Sequence, residues 1–119
     1  YTTSPAYHMI AEDDATKLAA PFDEGHYMQI EVAGKLSGSN QPDLADQFMQ
    51  FMVSDAAQSV LPTTNWMYPA VIPETGLPVE FGQLIEPEQS LLVPNESVPD
   101  LREEALAEWL SALFFAPRP

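Results

Sequence analysis

Cysteine is absent from the 119 residues, which removes disulfides, thiolate metal sites and cysteine nucleophiles together. Basic residues are scarce: four Lys and Arg stand against eighteen Asp and Glu, giving a net charge of -14 and a pI near 4.1. That balance excludes a nucleic-acid binder working through a basic groove. The acids are dispersed, so they read as a solvated surface that also tolerates cationic ligands. The five glycines never fall into GxGxxG or GxxxxGK[ST], so phosphate loops of those kinds are missing. No apolar run approaches the roughly 18 residues of a membrane span. No internal repeat is visible.

What is present would suit a single compact domain by length, yet the pattern of elements argues for part of something larger. The chain opens on Tyr1 and runs straight into a β-prone Tyr-Thr-Thr, which we read as strand. Ser4-Pro5 then starts a helix, the hydroxyl capping and the proline in the first turn, where a missing N–H is harmless. This helix extends through Ala11 and fades in Glu12-Asp13-Asp14. His26 to Val32 alternates, Met28, Ile30 and Val32 on one side and Tyr27, Gln29 and Glu31 on the other, as in a half-buried strand. After a turn over 34–40, Pro42 opens a helix with Leu44, Phe48, Phe51 and Met52 on one face, a stripe we assign to packing. Ser54-Asp55 restarts a shorter helix that Pro62 should stop. The prolines from Pro62 to Pro99 are too frequent for regular structure and their apolar neighbours too many for disorder, which predicts a rigid segment laid over the body of a larger protein. Val98-Pro99-Asp100 begins a last helix carrying Leu101, Ala105, Trp109 and Leu113. Two strands and three or four helices do not complete a sheet, so the expectation is an α/β fold, incomplete in this fragment.

Few constellations carry chemistry. Ser4 and His8 share a helix face, but Ser4 is already explained as a cap and no glycine elbow, oxyanion donor or orienting acid accompanies them. His8, Glu24 and His26 match no specific metal-ligand spacing. The aromatic set is more informative. Trp66 and Tyr68 lie in Pro62–Pro69, PTTNWMYP, a proline-bounded loop that helical periodicity cannot place in a core. With Tyr1 and Tyr7 they offer electron-rich faces to a flat or cationic heterocycle. The competing explanation is that Trp66 covers the edge of the core under a long loop.

YTTSPAYH at 1–8, EGHYMQIEVA at 24–33, QPDLADQFMQFMVSDAAQ at 41–58 and PTTNWMYP at 62–69 resemble the carboxy-terminal third of the thiamine-binding proteins of bacterial thiamine ABC transporters. The likeness is dense to about Ala70, loose in the proline-rich stretch, and returns as a final helix with a tryptophan at 100–114. The resemblance implies part of a type II periplasmic substrate-binding protein fold, two lobes with a cleft between them. It assigns residues 1–25 to the second lobe, 26–65 to the first, and 66–119 to the hinge return, proline-rich stretch and last helix of the second. It implies a non-enzymatic, periplasmic solute-binding protein that captures thiamine, with Tyr1, Tyr7 and Trp66 as the ligand-binding rings. Tyr68, Asn65 and His26 lie in matching motifs without an assigned contact. No cofactor is implied; thiamine is cargo. The implied partners are thiamine or its phosphates, an ABC-transporter permease and the amino-terminal remainder of the protein, with no nucleic acid. Thiamine phosphates would find the helix start at Ser4-Pro5, where orphan amides receive anions. Alternatives are a ferric-iron protein of the same fold using paired tyrosinates, an enzyme of thiamine or pyrimidine metabolism on that scaffold, or a structural fragment whose aromatics contact another chain.

Overall fold

A computed structural model of the chain describes residues 1–114. Among the described residues are five α-helices: α1 (Ser4–Ala11), α2 (Pro42–Met52), α3 (Asp55–Gln58), α4 (Leu61–Thr64) and α5 (Val98–Phe114). Short 3₁₀ helices cover Val79–Gln83 and Asn95–Ser97. The strands β1 (His26–Tyr27) and β2 (Ser90–Leu91) pair in parallel, His26 opposite Ser90 and Tyr27 opposite Leu91.

The opening differs from the strand that β-propensity predicts. Tyr1 to Thr3 form a turn, closed by the Ser4 amide donating to the Tyr1 carbonyl at 3.2 Å. Thr3, not Ser4, is the residue before α1, and no side chain caps it; Ser4 and Pro5 already lie in the first turn. Ala6 is fully buried on the inner side of α1, beneath Phe81 and Leu84, with Met9 and Leu77 packed around them. The proline-rich segment therefore lies over α1 of this same chain, and its 3₁₀ turn supplies the ring that closes the core.

The predicted strand His26–Val32 pairs only over its first two residues. Its ladder ends after the Met28 amide donates to the Leu91 carbonyl at 2.9 Å, because β2 is itself only two residues long. Met28, Ile30 and Val32 are exposed, not half-buried. The stripe on α2 differs in the same way: the helix has its expected bounds, but Leu44, Phe48 and Phe51 are more than half exposed and no residue of α2 is buried. So the packing expected of this face is not made within the described residues.

Ser54 caps α3 as its position suggests, accepting from the Ala57 amide at 3.4 Å. Pro62 does not stop a helix. It sits in the first turn of α4, where no amide is required, and its ring is among the most completely buried. Gln58 fastens this region from inside: its Nε2 donates to the Met52 carbonyl at 2.6 Å, and its Oε1 accepts from the Val71 amide at 3.1 Å. It is 4% exposed. Gln58→Leu keeps the bulk but strips both partners, and should cost about 1–3 kcal/mol in thermal or denaturant unfolding. An unchanged midpoint would show that water replaces both bonds.

Candidate functional site

α1 has a dry side and a wet side. Ala6 and Pro5 are buried, whereas Tyr7 stands outward by Trp66, which follows α4. The two rings meet edge to face, centroids 5.1 Å apart and planes at 78°. They form a corner, not the parallel sandwich that stacking on both faces of a ligand would need. The corner opens on a cavity of about 470 Å³, whose wall also includes Tyr1, Gln29, Glu31 and Asn65. Tyr1, Tyr7 and Trp66 thus converge on one hollow. Tyr1 further borders two neighbouring cavities, of about 360 and 280 Å³.

Trp66 is held in an unusual backbone state, with φ at 56°. Left-handed geometry is uncommon for a bulky residue and costs of order 1–3 kcal/mol. It follows from the way α4 ends: the amides of Asn65 and Trp66 both turn back to the Leu61 carbonyl, at 2.9 and 3.1 Å. Glycine usually occupies such a position. Here a tryptophan does, and the turn aims its ring at Tyr7. Asn65 adds a side-chain tie, its Nδ2 donating to Glu31 Oε2 at 2.9 Å across a sequence gap of 34 residues.

Sequence reasoning missed Gln29, Glu31 and Asn65 as cavity residues. The period-two pattern did place Gln29 and Glu31 together, opposite Met28 and Ile30. The missing knowledge was that this polar side borders an aromatic hollow. Tyr68, by contrast, turns to the core and packs edge-on against Phe81 at 5.3 Å. Burial, then the Glu86 charge, raises its phenol above the ordinary value. His26 closes a local turn, Nε2 accepting from the Phe22 amide at 3.3 Å. His8 Nδ1 lies 2.7 Å from Glu12 Oε2, so it is engaged away from Ser4 chemistry. Among the described residues no group of three or more His, Asp or Glu is placed to hold a metal ion.

The start of α1 offers less to an anion than its sequence promises. The Ser4 amide is bonded to the Tyr1 carbonyl, the Ala6 amide to the Thr3 carbonyl at 3.1 Å, and Pro5 has none. At the other end, hydrogen bonding to Glu12, and then its charge, raises the Tyr7 phenol above its ordinary value. Glu12 is lowered, first by its hydrogen bond to His8 and then by that to Tyr7. Asp14 is held well below the usual carboxylate range, chiefly by Thr16, whose hydroxyl and amide donate to Oδ1 at 2.6 and 2.8 Å. Both carboxylates are depressed in the folded state, so their stabilisation is complete above the ordinary values of 4.5 and 3.8 and is lost as pH falls through the lower folded ones. In an NMR titration the Thr16 amide should move with Asp14 only below pH 3.8. A midpoint at or above that value would mean the Thr16 bonds do not persist in solution.

No protein-family model matches the chain. The thiamine-binding periplasmic protein of Salmonella typhimurium is 45% identical over 113 residues, covering 95% of this chain and 34% of that protein. The protein of the same name from Brucella suis is 42% identical over 112 residues, and that of Haemophilus influenzae 34% over 112. A solved structure described as a periplasmic thiamin binding protein superposes with a TM-score of 0.77 at 45% identity. The chain resembles thiamine-binding periplasmic proteins along nearly its whole length. Its fold is that of part of such a binding protein, 95% of this chain matching 35% of the solved one. The chain spans about a third of the length of the curated relatives it matches.

Proposed function

We propose that this chain forms one wall of a cleft that captures thiamine in the periplasm for import, with Tyr1, Tyr7 and Trp66 as the ligand-binding rings. The observation carrying this reading is the Tyr7–Trp66 corner on a 470 Å³ cavity, within the range of about 300–1,000 Å³ usual for small-molecule sites. Thiamine joins a flat aminopyrimidine to a permanently charged thiazolium. One ring can lie on an aromatic face while the other meets a second face at an angle, each cation–π contact contributing about 0.5–2 kcal/mol. The relatives' names and the acidity of the chain support the same choice of ligand.

Binding without turnover is the proposed activity, and delivery to an ABC-transporter permease the proposed destination. Two lobes meet at the cavity in this reading, the chain crossing between them around Gly25 and again near Trp66. The exposed faces of α2 and of Met28, Ile30 and Val32 would then be covered by the remainder of a longer protein. The competing ligand is ferric iron, which paired tyrosinates would hold in place of ring stacking.

In the chain's native context thiamine should quench tryptophan emission saturably, and Trp66→Phe should remove the Trp66 share of that quench. A flat titration overturns the reading, and a visible tyrosinate-to-iron band on adding ferric ion favours the alternative. Ligand recovered chemically altered would instead point to an enzyme.

A further inference from the structure

We propose that Glu31 sets the charge selectivity of the cavity, its carboxylate, oriented by Asn65 beside the Tyr7–Trp66 corner, serving as counter-ion for a cationic heteroaromatic ligand. Three observations carry this. Glu31 lines the same hollow as both rings, although it is far from Tyr7 and Trp66 in sequence. Its two hydrogen-bond donors are neutral amides, Asn65 Nδ2 at 2.9 Å and Gln29 Nε2 at 3.4 Å, which fix the group without cancelling its charge. The two lysine side chains are engaged elsewhere: Lys35 with Asp46 at 2.6 Å and Lys17 with Asp14 at 3.0 Å. The one histidine on this wall, His8, is bonded to Glu12.

An anion beside electron-rich rings adds a directional attraction for positive charge to the sequence-tolerant attraction of the faces. Neutral flat molecules gain only the second, so Glu31 separates the two ligand classes. The assignment rests on thiamine being the ligand, and the test keeps the two questions apart.

Calorimetric titration of the chain in its native context would use thiamine and a thiophene analogue that lacks the ring charge. Glu31→Gln keeps an acceptor for Asn65 and removes the charge. Thiamine should bind roughly ten-fold more weakly, with the uncharged analogue altered less than about two-fold. Glu31→Asp should restore much of the thiamine preference, a rescue that a packing role would not give, and it serves equally if the Gln variant folds poorly. Equal losses for both ligands, or none for either while wild type binds thiamine, overturn the role of Glu31. Failure of the wild type to bind thiamine overturns the functional reading as well.

Discussion

Trp66→Gly should lower thiamine affinity by about 100-fold or more while destabilising the protein less than Trp66→Ala does. The two effects separate because the residue performs two tasks. Its ring is half the aromatic corner; the other ring that meets Tyr7 edge-on, His8 at 5.1 Å, is tied to Glu12. Its backbone, at φ 56°, carries a cost that glycine does not. Relief of about 1–2 kcal/mol offsets part of what is lost, the edge-to-face contact with Tyr7, about 0.5–1.5 kcal/mol, together with the burial of the ring. Trp66→Ala removes the ring and keeps the strain, so it should bind as poorly and melt lower than the glycine variant, by about 1 kcal/mol. Calorimetry for binding and thermal unfolding for stability read the two apart. If the glycine variant binds normally, Trp66 is not on the ligand.

The second large effect is expected at Gly25. Its φ is +107°, and a Cβ there would lie 2.8 Å from the Gln89 carbonyl oxygen and 3.2 Å from Leu91 Cγ. That oxygen is the acceptor for the His26 amide at 3.0 Å, so one added carbon pushes away the group that starts the β1–β2 ladder. Neither a backbone clash nor a left-handed φ is relieved by rotating a side chain. Gly25→Ala should therefore cost about 3 kcal/mol or more. Hydrogen exchange should show the His26 and Met28 amides losing protection together. Because the chain runs on from Met28 to Gln29 and Glu31, ligand affinity should fall too, although Gly25 touches nothing in the cavity. Retained protection at both amides would show that β2 can retreat without losing register.

Local signals made much of the helical content legible. Prolines in the first turns of α1, α2 and α5 and the serine before α3 act within a few residues, and the elements they imply are present. Where an element depends on a distant partner, the same signals mislead. Tyr1-Thr2-Thr3 has the composition of a strand, but among the described residues no strand pairs with it and a turn results. His26–Val32 has the alternation of a strand, but its partner lasts two residues, so most of it stays extended and unpaired. Pro62 looks like a terminator until one sees that Val60 and Leu61 begin a new helix around it. That Tyr1, Tyr7 and Trp66 belong together was legible from the proline-bounded loop and the resemblance. Glu31 and Asn65 were not, because the bond joining them spans two segments whose proximity is a property of the folded chain.

The outline of the molecule, 58 × 38 × 25 Å with a radius of gyration of 18.5 Å, bears on how its association should be measured. A compact chain of this length would have a radius near 13.5 Å. An elongated monomer drags more solvent and leaves a sizing column early, imitating a dimer of about twice its 13.1 kDa. Light scattering weighs mass without regard to outline, and so distinguishes a single slender particle from two copies joined through their bare apolar sides.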